Sequence, residues 1–148
     1  MTYFYLVIPL ILGYLTSYFF PIDKKSGEKV NAKPPSWVFV ILWPILYLLI
    51  GYTWYKLRND FKDKKYTEDF LFIIFNICLC LWIILYRLNK KYGLYILLVC
   101  YGISLFIVLY NIQNKVSLFL VPVSVWLLFA TLLNFQEVNT ITNTIITK

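Results

Sequence analysis

The stretch that decides the fold is residues 34–57, which read PPSWVFVILWPILYLLIGYTWYKL. A helix does not run through Pro34 and Pro35, because each proline ring clashes with the preceding turn and lacks an N–H donor. Ser36 can cap the first free N–H groups of the helix that follows. The apolar run from Trp37 to Leu57 is long enough, at about 1.5 Å per residue, to cross a bilayer. We therefore predict a transmembrane helix over residues 37–57.

Large side chains recur every three or four residues along this predicted helix, so they share one of its faces. The face consists of Phe39, Trp43, Tyr47, Ile50 and Trp54. Two interpretations are open from the residues alone. The face either packs against neighbouring helices, or it forms one wall of a pocket for a flat, apolar ligand.

The composition of the whole chain indicates an integral membrane protein. Of its 148 residues, 61% are hydrophobic and only 14% are charged, against about a quarter charged in soluble proteins. The net charge is +7, yet no basic residue lies within a central apolar run, where each would cost roughly 2.5–3.5 kcal/mol. We expect these cations to face lipid headgroups and not nucleic acid, for which no motif is present. The length fits one domain.

Four further apolar runs predict transmembrane helices at residues 2–20, 70–86, 94–110 and 117–137. We expect the first run to be retained and not cleaved as a signal peptide, because its first basic residue is Lys24 and no small-residue cleavage site follows. Five spans place the two termini on opposite sides of the membrane. A slight excess of Lys and Arg in the first and third loops and at the C-terminus favours a cytoplasmic C-terminus. The Thr- and Asn-rich tail from Val138 is expected to fray at its end.

Few residues inside these runs carry polar or reactive groups. The three cysteines are expected to act as small apolar filler, and a chain without histidine offers no Ser-His triad and no metal site of the usual kind. Asn76 is expected to bond a neighbouring helix and not a ligand. Gly13 and Ser17 form a pair of small residues four apart, which allows close approach of a second copy or of another helix of the same chain. Both uses are open.

Two blocks of the sequence, in a fixed order, carry a specific resemblance. The first is Pro34-Pro35-x-Trp37-x-Phe39 with Trp43 and Leu46-Tyr47 after it, and the second is Pro122 followed by Trp126-x-x-Phe129-Ala130-x-x-Leu133-Asn134. They resemble the TspO/MBR family, which includes the tryptophan-rich sensory proteins and the translocator protein, the peripheral-type benzodiazepine receptor. Trp82-x-x-Leu85-Tyr86 is similar to the family pattern in the third helix. The resemblance covers nearly the whole chain.

The resemblance implies a single TspO/MBR membrane domain over residues 1–148, an all-α bundle of five transmembrane helices with its first loop folded over one end. The implied function is that of a membrane receptor for flat hydrophobic ligands, most of all porphyrins or haem, with no required cofactor. The implied partners are that ligand, the lipid bilayer and a second copy in a homodimer. The residues that match the family's pocket are Trp37, Phe39, Trp43, Tyr47, Trp82, Trp126, Phe129, Ala130, Leu133 and Asn134.

Three alternative functions are open: light-dependent degradation of porphyrin, binding and transport of sterols or lipids, and a structural role without a small-molecule ligand. Many relatives carry a first-loop tryptophan that is implicated in the photochemistry. Ala32 takes its place here, so efficient degradation is not expected unless Trp37 substitutes. Animal relatives end the fifth helix with a sterol-recognition motif that has no counterpart after Leu133, so sterol binding at that site is not expected.

Overall fold

The computed structural model describes residues 3–146, and within them every regular element is helical, with no strand. The five α-helices are α1 (Phe4–Phe19), α2 (Ser36–Asp60), α3 (Lys65–Leu88), α4 (Lys90–Tyr110) and α5 (Val121–Ile146). Short 3-10 segments precede α3 and α5, at Lys62–Lys64 and Lys115–Leu120. The all-α class and the five-helix bundle predicted from the sequence are confirmed.

Four of the helices, α2 to α5, are long and apolar enough to span a membrane. The remaining helix, α1, is apolar as well but has 16 residues. That length corresponds to about 24 Å, against a hydrocarbon core of about 30 Å. A helix this short is accommodated by local thinning of the bilayer or by flanking side chains that reach to the interface. The protein is a multi-pass integral membrane protein.

The helix α2 begins at the double proline, but without the expected cap. Its N-cap residue is Pro35, with φ −55° and ψ 147°, and no side chain forms a capping hydrogen bond there. Ser36 is already the first helical residue, so the prediction that it caps the helix is wrong. The fixed φ of proline prepares the first turn instead, and the Pro35 carbonyl accepts the Val38 N–H at 3.0 Å. Pro44 lies inside α2, which continues past it to Asp60.

The helix α5 continues to Ile146, well beyond its predicted end. The tail from Val138 is therefore helical up to Ile146, and its last two residues lie outside the described residues. The hydroxyls of Thr140, Thr142 and Thr144 each donate to the carbonyl four residues earlier, at 2.8 to 2.9 Å. Threonine is a weak helix former on average, but these side chains bond along the helix and do not compete with it.

Two glycines of the α1–α2 contact bring these helices close together. A Cβ atom on Gly51 would overlap the backbone carbonyl of Leu6, and a Cβ atom on Gly13 would overlap the ring of Tyr47. Small residues at such contacts let membrane helices approach closely. Gly13 is therefore engaged in packing within the chain, one of the two uses that the sequence left open.

The half of the bundle around the C-terminus of α2 is a packed core. Trp54 is almost fully buried there and stacks on Phe72, with ring centroids 5.7 Å apart. Its Nε1–H donates to Asp69 at 2.9 Å, and the Arg58 Nε lies 2.9 Å from both oxygens of the same carboxylate. At Trp54, the aromatic face of α2 therefore serves packing between helices.

The polar and sulfur-containing residues of α3 and α4 are placed as follows. Asn76 donates to the carbonyl of Phe72 in its own helix at 2.7 Å, so the predicted bond to a neighbouring helix is wrong. A carbonyl one turn back is within reach of a short polar side chain in a helix, and here it satisfies the amide locally. Cys78 and Cys100 are buried, Cys80 is half-buried, and all three are free thiols.

Candidate functional site

A cavity of about 430 Å³ lies at the end of the bundle that carries the loop between α1 and α2. Its walls come from α1, α2, α3 and α5, and side chains of residues 20–35 cover it. Small-molecule pockets in proteins measure about 300–1,000 Å³. This cavity therefore has the size of a ligand site.

One wall of the cavity is a set of aromatic rings in contact with one another. Trp43 of α2 lies 5.3 Å from Trp82 of α3, with the ring planes 29° apart, and 5.4 Å from Tyr47 one turn along α2. Trp82 in turn lies 5.8 Å from Tyr86. Each such pair contributes about 0.5–1.5 kcal/mol beyond the area it buries. Rings fixed in this way lose little freedom when a ligand arrives, so the wall is a preformed apolar surface.

A second part of the lining comes from Ala130, Leu133 and Asn134 of α5. Spacings of three and four residues put these side chains on one face of the helix. Ala130 has a single methyl group and leaves room beside its larger neighbours. In the amide orientation that satisfies both of its polar atoms, Asn134 donates to the carbonyl of Lys90 at 3.0 Å and accepts the N–H of Leu94 at 3.2 Å. Its amide therefore ties α5 to α4.

The structure places seven of the ten predicted site residues on the lining, namely Phe39, Trp43, Tyr47, Trp82, Ala130, Leu133 and Asn134. Two others lie behind the lining. Trp126 is edge-on to Phe39 at 5.5 Å and to Trp43 at 6.4 Å, and Phe129 contacts Trp126 at 5.4 Å. Trp126 therefore supports the aromatic wall from outside the cavity.

The tenth predicted residue, Trp37, does not line the cavity and is 64% exposed. It precedes Trp43 by six positions, which turns it about 120° away from Trp43 around a helix of 3.6 residues per turn. Its match to the family motif, and not its position on the helix face, places it among the predicted site residues.

The loop contacts the helices at the carboxylate of Glu137, which lines the cavity and is only 8% exposed. One oxygen accepts the backbone N–H of Gly27 at 2.8 Å, and the other accepts the Tyr86 hydroxyl at 2.6 Å. The Lys90 ammonium lies 3.8 Å away. Gly27 has a φ of +73°, which glycine adopts without the strain that a side chain would bring. A buried carboxylate is costly unless it is paired and hydrogen-bonded, and Glu137 is both.

Lys90 adds a second connection between the loop and the helices. Its ammonium donates to the hydroxyl of Ser26 at 2.8 Å and lies 3.4 Å from the centroid of the Tyr86 ring, a cation–π contact. Lys33 also donates to the carbonyl of Ser26. We call the contacts among Ser26, Gly27, Tyr86, Lys90 and Glu137 the loop clamp. It ties residues 20–35 to α3, α4 and α5.

Sequence reasoning did not identify the loop clamp, although one signal was available. Glu137 is the only acidic residue after Asp69, and it lies near the end of an apolar span. An acidic side chain at such a position is expected to have a specific partner. The partners themselves, a loop N–H and a tyrosine hydroxyl, carry no pattern that points to Glu137.

The arrangement is suited to a flat amphipathic molecule. An apolar ring system can lie against the Trp43 and Trp82 rings, and polar groups at its edge can reach the loop side chains at the mouth. Within residues 3–146, no group of three or more His, Cys, Asp or Glu side chains is placed to hold a metal ion.

The fold and the site define a class: a multi-pass membrane protein of five helices with an aromatic cavity under its first loop. The sequence matches the TspO/MBR family over residues 5–138, nearly the whole chain, and the protein belongs to that family. It is similar to the tryptophan-rich protein TspO of Archaeoglobus fulgidus, with 32% identity over 134 residues, which cover 85% of this chain and 87% of the relative. The resemblance noted from the sequence motifs is confirmed.

Proposed function

We propose that this protein is a membrane receptor for flat hydrophobic ligands, chiefly porphyrins or haem, and that it binds them in the cavity beneath residues 20–35. The observation that supports this most is the stacked Trp43–Trp82 pair on the lining of the cavity. A planar macrocycle placed against preset aromatic rings gains a large contact area at little cost in side-chain entropy. Membership of the TspO/MBR family supports the same role.

Binding of haem would depend on its ring and not on a histidine ligand to its iron, because the chain contains no histidine. We assign most of the affinity, for haem and for metal-free protoporphyrin alike, to contact of the macrocycle with the aromatic wall, and not to an iron ligand from the tyrosines on the lining. We expect the two dissociation constants to agree within about tenfold, which corresponds to about 1.4 kcal/mol.

A second candidate is light-dependent degradation of the bound porphyrin, which the two indoles of Trp43 and Trp82 on the lining favour. Two residues argue against it. The loop position where many relatives carry tryptophan is Ala32, and Trp37, the indole that could substitute, is largely exposed and off the lining. We therefore propose binding without efficient degradation.

A titration with protoporphyrin, followed through quenching of tryptophan fluorescence, tests the proposal. We expect saturable quenching, and a dissociation constant about three- to tenfold higher for Trp82→Phe, because one stacking surface is reduced. Ala130→Leu should weaken binding further, because the added carbons occupy the cavity. The matched control is Trp54→Phe, which changes an indole in the packed core around the C-terminus of α2. Equal loss of affinity in Trp82→Phe and Trp54→Phe would contradict the proposed cavity.

A further inference from the structure

We infer that ligands enter the cavity sideways from the bilayer, through a gap between α1 and α2, and not from water past residues 20–35. The inference rests on the proposed function and specifies the source of its ligand, which is the hydrocarbon layer of the membrane. The residues of α1 and α2 that line the gap are Tyr14, Ser17, Val40 and Pro44, and we call this gap the lateral opening.

The lateral opening joins the cavity to the outside of the bundle. Tyr14, Ser17 and Val40 line the cavity, yet all three are exposed, and the exposed fraction of Val40 reaches 71%. A side chain can do both only where the wall between the two helices is incomplete. Because α1, at about 24 Å, is shorter than the hydrocarbon core, the exposed residues along it contact acyl chains. The lateral opening therefore leads into the bilayer.

The specific contacts between α1 and α2 lie farther from the loop. Gly51 lets α2 approach the backbone of Leu6, and Gly13 lies against the ring of Tyr47. Within residues 3–146, no hydrogen bond, ion pair or ring contact joins residues 14–19 to α2. The two helices can therefore separate at the lateral opening without breaking such a contact.

The route past the loop is held by several contacts. Gly27 donates to the Glu137 carboxylate, and the Lys90 ammonium donates to Ser26. Val30 of the same loop is buried and lines the cavity. Passage from the water side would break charge-assisted hydrogen bonds, the stronger kind of hydrogen bond in proteins. Passage through the lateral opening requires only the movement of side chains.

The exposed indole of Trp37 fits the lateral route. Trp37 precedes Val40 by three residues and Pro44 by seven, so the three lie on the same side of α2. Tryptophan is enriched at the boundary between membrane and water. A flat apolar molecule concentrates in the bilayer, and beside the lateral opening this indole offers a ring for it to contact.

The test measures rates of binding. The full-length protein is placed in nanodiscs, and quenching of tryptophan fluorescence by protoporphyrin is followed by stopped flow. Val40→Trp should slow association and dissociation by about tenfold each, because the larger side chain narrows the lateral opening. Val40→Ala should accelerate both. Val125→Trp, the same change at an exposed position of α5 off the lining, is the matched control and should keep the wild-type rates.

Lys90→Ala separates the two routes. It removes the bond to Ser26 from a position outside the lining, so it loosens the loop and leaves the cavity wall in place. A ligand that passes the loop should then associate about tenfold faster. We expect the wild-type association rate instead.

The outcomes separate the inference from the proposed function. Association of Val40→Trp at the rate of Val125→Trp, or faster association in Lys90→Ala, overturns the inference. The proposed function stands in both cases, because binding is still saturable. Absence of saturable quenching in the wild type overturns the proposed function, and the lateral route falls with it.

Discussion

Replacing Glu137 with alanine should open the loop over the cavity. The substitution removes the acceptor of the Gly27 N–H, at 2.8 Å, and the acceptor of the Tyr86 hydroxyl, at 2.6 Å. It also leaves Lys90 without its carboxylate partner. Only the bond to Gly27 joins Glu137 directly to residues 20–35, so that bond sets most of the effect on loop opening.

A hydrogen bond to a charged group contributes about 1.5–3 kcal/mol, and Glu137 is too deeply buried for solvent to replace it fully. Lys90 can still donate to Ser26 after the change, which keeps part of the loop clamp. We therefore expect the free energy of loop opening to fall by about 2 kcal/mol, or about 30-fold in the open population. Tyr86→Phe keeps both the Gly27 bond and the ring beneath Lys90, so it should change opening by about threefold or less.

Amide hydrogen exchange measures this opening segment by segment. Exchange of residues 20–35 should become about 30-fold faster in Glu137→Ala, while the buried amides of α4 keep their protection. Glu28→Ala, an acid-to-alanine change at an exposed position of the same loop, is the matched control and should exchange as the wild type does. Loop exchange at the wild-type rate in a folded Glu137→Ala protein would show that the loop clamp does not hold the loop closed.

Three further predictions concern packing, topology and photochemistry. Gly13→Leu should displace the Tyr47 ring and weaken porphyrin binding by about tenfold. Gly102→Leu, at a position where a Cβ meets no atom within 4 Å, should leave the affinity unchanged. Equal affinities of the two variants would show that the Tyr47 ring can adopt another position without loss of binding. Tags at the two termini should differ in protease accessibility in sealed vesicles, because five spans put them on opposite sides, and equal accessibility would exclude that number. Under steady light, bound protoporphyrin should bleach slowly in the wild type and faster in Ala32→Trp. Trp37→Phe should leave the bleaching rate unchanged, since Trp37 lies off the lining. Rapid bleaching in the wild type would refute the proposal of binding without efficient degradation.

The helices were predictable because the signals for them are local. An apolar run of sufficient length is visible in the sequence, and the double proline marks the start of α2 at Ser36. The end of α5 was not predictable in the same way. Average propensities disfavour helix in a Thr- and Asn-rich tail, but the bonds that Thr140 and its neighbours make along the helix depend on the conformation they stabilise.

The site was predictable only as far as helix periodicity reaches. Phe39, Trp43 and Tyr47 share a face by their spacing, and all three line the cavity. Trp54 shares the same face but packs in the core. Periodicity identifies the face of a helix on which a residue lies, and it does not tell where along that helix neighbouring side chains fill the space. The loop clamp joins residues 110 positions apart in the chain, at the bond from Gly27 to Glu137, and no local pattern encodes such a pair.

The space beside α2 is filled at Trp54 but not at Trp43, and this difference explains why a cavity exists. At Trp54, a stacked Phe72 and a hydrogen-bonding Asp69 fill the space beside the indole. At Trp43, the lining of α5 includes Ala130, which is too small to fill the space. The cavity of about 430 Å³ is partly open to its surroundings, because lining residues such as Tyr14, Lys24 and Val40 are exposed. Water or lipid can therefore enter it when no ligand is bound. A ligand that displaces water from it should stabilise the protein by about 2.7 kcal/mol at a hundred times its dissociation constant.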